Sequence, residues 1–346
     1  MRAVPSVVAG AIVALLGLLS AATAGASGDT EGFALSRLVA RTGGEVTAYS
    51  DSDSVNVFSP SLTASLYDPV SGWTVGAKYL VDVVSAASVD VLSHASPAWQ
   101  ETRHVAGLDA GYKSTSLFGI SAFVVSSVEP DYLSLTGGGQ FGLQLMNKQV
   151  HPRLGYSYGH DTAGRSDTPF DVYSLVLERH SLRGEVELVL DAASLLTITA
   201  DAVFERGLQI KPYRYLPVFA PEIVDAIPNG ASIASVNEVR LEGRVPERLP
   251  EHRDRFALSG RYAHRGRKKT AIISERLYAD NWGVVATTTD MRLIVDASRR
   301  WFLWPRVRFH AQKGASFWAR AYPATRGGNE VTLPDLRGGD RELGPL

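Results

Sequence analysis

Two stretches that alternate with a period of two dominate the segment from Val55 to Val84, joined by Asp68-Pro69-Val70-Ser71-Gly72. In the first, Phe58, Pro60, Leu62, Ala64 and Leu66 share one parity, and Val57, Ser59, Ser61, Thr63 and Ser65 the other. In the second, Trp73, Val75, Ala77, Tyr79, Val81 and Val83 oppose Thr74, Gly76, Lys78, Leu80, Asp82 and Val84. Successive side chains of a strand point to opposite faces, so the pattern predicts a hairpin with one apolar face. Each arm runs for about 11 residues, the length at which a tilted strand crosses the hydrocarbon of a membrane. Tyr67 and Trp73 bracket the turn. Aromatic residues at strand ends are the interfacial girdle of an outer-membrane barrel.

The N-terminus points to export. Arg2 supplies a short basic region, Val7 to Leu19 an apolar run, and Ala22-Thr23-Ala24 a small-residue cleavage site, with Ala24-Gly25-Ala26 as a second option. This pattern predicts a signal peptide over residues 1–26, and the apolar run is shorter than a spanning helix needs. No later stretch is long and apolar enough for a transmembrane helix. A membrane-embedded chain of this kind must therefore close as a barrel, because every backbone polar group in lipid needs an internal partner. Cysteine is absent, which excludes disulfides, thiolate metal sites and a lipidated N-terminal cysteine. The net charge of -1 argues against nucleic acid as the partner, since phosphate binding requires a strongly basic surface.

The alternation continues through the chain. It predicts 13 strands, at about 45–49, 56–66, 73–84, 101–113, 117–127, 132–146, 150–158, 170–190, 195–205, 254–263, 270–279, 282–295 and 302–312. Short turns at 68–72, 114–116, 147–149, 191–194, 265–269 and 296–300 alternate with mostly longer connections. Short turns on one side and long loops on the other describe an all-β, antiparallel, up-and-down transmembrane β-barrel. The longest connection, 206–253, falls on the loop side and reads as an external loop, in a region (206–269) with 13 Lys or Arg against 7 Asp or Glu. Residues 27–346 are thus expected to form one barrel. Bacterial single-chain barrels have even strand numbers, so 13 predicts a larger barrel that is incomplete at the C-terminus.

One ordered set of short segments carries a family resemblance. Tyr79-Leu80-Val81-Asp82-Val83-Val84-Ser85-Ala86-Ala87-Ser88-Val89-Asp90-Val91, Pro212-Tyr213-Arg214, Glu247-Arg248-Leu249-Pro250, Tyr278-Ala279-Asp280-Asn281-Trp282-Gly283 and Pro305-Arg306-Val307-Arg308 occur in that order. Together they resemble a family of Gram-negative proteins known as domain of unknown function number 3570, over nearly all of the mature chain. The resemblance implies an outer-membrane β-barrel with no assigned catalytic residue, with further strands after a segment like Gly339 to Leu346. It also implies genomic proximity to a flavin transferase and thioredoxin-like proteins, hence periplasmic redox proteins as partners.

Candidate chemistry is sparse. Gly155-Tyr156-Ser157-Tyr158-Gly159 matches the Gly-x-Ser-x-Gly hydrolase elbow but lacks the helix that must follow it. Thr136-Gly137-Gly138-Gly139 lacks the lysine and helix of a phosphate loop. Eight histidines are scattered without ligand spacing, so neither a metal nor a cofactor is expected. The polar parity carries Lys78, Asp82, Arg103, Asp109, Lys113, Arg306 and Arg308, which a barrel would turn toward its lumen. These charges suit both a conducting pore and a lumen filled by paired side chains. The reading is a non-enzymatic outer-membrane barrel, a pore or the scaffold of an exported redox or secretion system. Outer-membrane lipid and the barrel assembly machinery are its expected partners, and nucleic acid is not one. The alternatives are a barrel-embedded lipid hydrolase, for which Ser157 would lie beside a histidine, and a secreted soluble β-sandwich. In a sandwich a second sheet would cover the face of Phe58, Leu62 and Leu66.

Overall fold

Residues that alternate apolar and polar over ten or more positions form strands here almost without exception. A computed structural model describes residues 38–50, 56–86, 99–114, 117–210, 215–228, 231, 233–242, 245–246, 249–298, 301–319, 321–327 and 330–332. The predicted signal peptide lies outside the described residues. One antiparallel sheet contains β1 (Val39–Ser50), β2 (Asn56–Tyr67), β3 (Trp73–Ala86), β4 (Trp99–Lys113), β5 (Phe118–Glu129), β6 (Tyr132–Leu143), β7 (Val150–Ala163), β8 (Leu175–Val189) and β9 (Ser194–Gly207). Three short strands follow, β10 (Tyr215–Leu216), β11 (Val218–Phe219) and β12 (Val245–Pro246). The sheet then resumes with β13 (His252–Arg265), β14 (Lys269–Asp280), β15 (Val285–Asp296), β16 (Phe302–Leu303) and β17 (Arg306–Gln312). Each long strand pairs with its predecessor in the meander, and β9 pairs with β13 across the long insertion. Among the described residues β1 is paired on one side only, with β2.

The all-β, antiparallel, up-and-down architecture read from the sequence is borne out, and each of the 13 predicted strands has its counterpart. The last is split. β16 and β17 both pair with β15, and they are separated at Trp304-Pro305, where proline has no N–H to give the ladder. The Pro305 carbonyl still accepts from Leu293 N–H at 3.1 Å, so the register continues across the break.

The turns read as short from the sequence lie at one end of the sheet, although the β5–β6 and β14–β15 turns at the other end are short as well. In the β2–β3 turn the Asp68 carboxylate accepts from Val70 N–H at 2.8 Å, and Gly72 reverses the chain at φ +81°. A Cβ at Gly72 would sit 2.1 Å from the Lys113 carbonyl oxygen, a backbone atom that cannot step aside. We expect Gly72→Ala to destabilise the protein by about 1–3 kcal/mol, read as a lower urea midpoint, because strain at φ above zero adds to the clash. In the β8–β9 turn Asp191 accepts from Ala193 N–H at 2.7 Å. That backbone bond, with those to Ser194, holds its carboxyl below the ordinary range, so this turn keeps its cap until strongly acid pH.

The opposite end carries the longest connection. The connection read as an external loop over 206–253 has these bounds in the sheet, since β9 runs to Gly207 and β13 starts at His252. The residues between include β10 to β12, a 3-10 helix (Pro221–Ala226) and α1 (Ile233–Val239). β11 pairs in parallel with β18 (Tyr322–Pro323), and the Phe219 carbonyl accepts from Ala324 N–H at 2.8 Å. Beyond them β19 (Thr325–Gly327) pairs with β20 (Glu330–Thr332). Two apolar clusters form here, Leu216, Val218, Tyr322 and Ala324 in one, and Phe219, Ile227, Val236 and Ala321 in the other. A third joins Trp282 and Val284 of the β14–β15 turn to Ala315. The largest fully buried side chains, Phe219, Val218 and Val284, all belong to this cap, so the conventional hydrophobic core sits at the end of the sheet and not on its faces.

Candidate functional site

Pairing register assigns every strand residue to a face, because residues directly opposite one another share it. Trp73, Tyr112, Ile120, Phe141 and Leu154 lie in one row across five strands, and Leu258, Leu277 and Thr287 continue the same face. This face is bare. Leu62, Leu154 and Phe309 each keep 63% of their surface exposed, and no second sheet covers Phe58 or Leu62 among the described residues. Monomeric water-soluble proteins rarely leave apolar patches beyond a few hundred Å² uncovered, whereas this band runs across the whole sheet. Aromatics stand near its margins: Tyr112, Phe118 and Phe141 are in ring contact at the short-turn end, and Phe204 meets Phe256 edge to face nearer the cap. Ionisable groups on this face include His104, His180 and, near the middle of β14, Glu275. Glu275 accepts hydrogen bonds from the hydroxyls of Thr287 and Thr289, both on its own face.

The other face is charged. Lys78, Asp82, Arg103, Asp109, Lys113, Arg306 and Arg308 all lie on it, as tracing the register from β3 to β17 shows. They do not form one cluster. Asp82, 6% exposed, is directly opposite Arg103 and forms an ion pair with it. Gly76 faces Asp109, and a Cβ there would come within 2.4 Å of its carboxylate. Arg306 and Arg308 meet the same partner, Asp290, at 2.6 and 3.1 Å.

The sequence reading missed most of this face's charges. Arg179 pairs with Asp161 at 2.6 Å, Arg153 with Glu185 at 2.7 Å, Arg255 with Glu205, and both Arg183 and Arg276 with Asp201, at 2.7 and 3.1 Å. Each of these residues sits on the polar parity of its strand, and that parity was the signal that could have found them. Arg276 reaches Asp201 across the intervening β13, and its Nη1 also donates to Ser259 at 3.3 Å. Toward the cap, Arg253 and Asp280 form the most buried pair, at 2.6 Å.

Catalytic and metal constellations are weak by comparison. Ser157 lies inside β7 opposite Gly138 and Ser181, on the charged face. His180 bonds Tyr156 at 2.8 Å on the apolar face, so the register puts it on the other side of the sheet from Ser157. The strand-to-helix turn of a hydrolase elbow is not formed at this serine. Gly137, Gly138 and Gly139 are interior to β6 and form no loop. Among the described residues one acidic trio, Glu101, Glu129 and Asp131, brings ligand atoms within 4.8 Å of one another. It stands close to the Asp82–Arg103 pair, and its geometry alone selects no ion.

Comparison with known proteins finds a family model that matches one segment. Residues 178–341 match the family model described as Protein of unknown function (DUF3570). The resemblance read from the sequence is borne out over this segment, which runs from β8 through the cap, while the motif at 79–91 lies outside it. Both carboxylates shared by two arginines, Asp201 and Asp290, sit in the matched segment. No curated protein matches the chain. Among solved structures, the siderophore receptor PirA from Acinetobacter baumannii aligns at 11% identity and a TM-score of 0.41, over 82% of this chain and 43% of the receptor chain. The chain spans less than half the length of that receptor.

Proposed function

We propose that this chain forms a non-enzymatic outer-membrane β-barrel, with the charged face turned to the lumen and the apolar face to lipid, acting as a pore or as a membrane scaffold. The observation that carries the reading is the bare apolar band, backed by a face whose arginines and carboxylates pair with one another. In water such a sheet would expose its greasiest surface and hide part of its polar one. In a bilayer the same sheet meets apolar chains outside and water inside, and the backbone is satisfied strand to strand. The predicted signal peptide supplies the export route, the barrel assembly machinery the insertion step, and lipid the solvent for the band. Periplasmic redox partners rest on the family resemblance alone.

The test is fractionation followed by heat-modifiable migration. Cells expressing the protein are separated into soluble, inner-membrane and outer-membrane fractions, and each is run on a denaturing gel with and without boiling. Recovery in the outer membrane, with a mobility shift on boiling, is the expected result. Recovery as a soluble periplasmic protein would overturn the membrane reading.

A further inference from the structure

Across β13, β14, β15 and β17 the charged face carries more guanidinium groups than it can neutralise. Asp201 is shared by Arg183 and Arg276, and Asp290 by Arg306 and Arg308, so each carboxylate faces two cations. The neighbouring acids are engaged elsewhere: Glu185 and Glu187 both reach Arg153, and Asp296 pairs with Arg265 at 2.5 Å. Arg261 and Arg292 have neither an ion pair nor a hydrogen bond among the described residues. Moreover, Arg292 stands directly opposite Arg306 in the β15–β17 register, a like-charge cross-strand pair that costs stability.

These groups surround one small residue. Ser274 on β14 is directly opposite Arg261 on one side and Asp290 on the other, with Arg276 two positions along its own strand. Arg292 occupies the diagonal position next to Asp290, and Arg308 lies one strand further, opposite Asp290. Strand spacing of about 4.8 Å and a rise of about 3.4 Å per residue put these Cα atoms within about 10 Å of Ser274, inside the reach of an arginine side chain. The small serine side chain at the centre offers a hydroxyl donor. Arginine forks match oxyanions in a bidentate manner, and four arginines stand within that reach, of which Arg276 and Arg308 also hold Asp201 and Asp290.

We propose that Arg261, Arg276, Arg292 and Arg308, arranged around Ser274, form a binding site for a multivalent oxyanion, a phosphate- or carboxylate-bearing solute. The site rests on the reading that this face lines a water-filled lumen. Bound anion would offset the Arg292–Arg306 repulsion and occupy the two unpaired guanidinium groups. In a pore the same surface favours anions over cations, by attraction that salt weakens.

Inorganic pyrophosphate is the probe. Calorimetric titration of the folded protein in detergent is expected to show binding above that of chloride at matched ionic strength. The Arg261→Gln, Arg292→Gln double variant removes two cations that hold no carboxylate, so folding should persist, as checked by the heat-modifiable band. Pyrophosphate affinity should fall about tenfold for each guanidinium lost. Lys268→Gln, which removes one charge from the β13–β14 turn, should leave affinity unchanged. The proposal is overturned if the folded parent does not bind pyrophosphate beyond chloride. It is equally overturned if the double variant binds as the parent does, or if Lys268→Gln weakens binding as much. Membrane placement is read separately from the fractionation, so loss of the pore reading and loss of the anion site are distinguishable.

Discussion

Asp280→Ala is expected to lower stability by about 3–5 kcal/mol, the scale for removing one partner of a buried ion pair. Its carboxylate is fully enclosed and accepts from Arg253 Nη2 at 2.6 Å, Arg253 Nε at 2.9 Å and the Tyr278 hydroxyl at 2.8 Å. It also accepts from the backbone N–H groups of Trp282 at 3.0 Å and Val284 at 2.9 Å, which closes the β14–β15 turn. The alanine variant would leave Arg253 buried without a counter-charge, 4.3 Å from the Trp282 ring. Trp282 in turn donates from Nε1 to the His252 carbonyl at 2.9 Å and packs edge to face on Phe317. Loss of Asp280 should therefore loosen the cap as well as the turn. Urea titration followed by tryptophan fluorescence, in detergent or lipid, reads the effect. Asp280→Asn keeps acceptors for the two turn N–H groups while losing the charge, so its midpoint should fall between parent and alanine variant. An alanine variant with the parent's midpoint would show that Asp280 does not join sheet and cap.

The strands were legible because each face meets a different environment, and period-two alternation is the direct imprint of that difference. Errors fall where the imprint is weak or imitated. β1 begins at Val39, earlier than read, because Arg41, Gly43 and Gly44 carry no apolar alternation and join the sheet through pairing with β2. Phe170 to Ser174 look like the start of a strand, yet β8 starts at Leu175 after a turn set by Pro169. The sixth strand was read too long. It ends at Leu143, and the chain then reverses through Met146, Asn147 and Lys148, all with positive φ.

The cap was not legible at all. β11 and β18 are two-residue strands about a hundred positions apart, too short to show a period, and their cluster exists only after the sheet has brought both segments to one end. Among the charges, parity placed Asp82 and Arg103 on a common face, but their direct opposition is a matter of register. The convergence of arginines on Asp201 and Asp290 depends on which strands are neighbours. Alternation shows which side a residue faces and not what stands across from it.

Leu258→Arg then separates the two solvents that the bare face could meet. Leu258 lies midway along β13 on the apolar face, opposite Ala200 on β9 and Leu277 on β14, with Phe256 and Tyr262 on the same face of its own strand. If that face is immersed in hydrocarbon, an arginine at mid-depth costs about 2–4 kcal/mol, falling toward zero nearer the interface. The expected result in lipid vesicles is therefore a loss of that size, measured as the urea midpoint at unchanged slope. Ser259→Arg is the internal comparison. It adds the same side chain one residue away but on the charged face, where water is within reach, so its cost should stay at the roughly 1 kcal/mol of the like-charge pair it makes with Arg276 directly opposite. Because neighbouring residues of one strand share its pairing and differ only in face, the gap between the two variants isolates the solvent. Equal costs would mean that both faces are wet, and the apolar band would then need a protein cover in place of lipid.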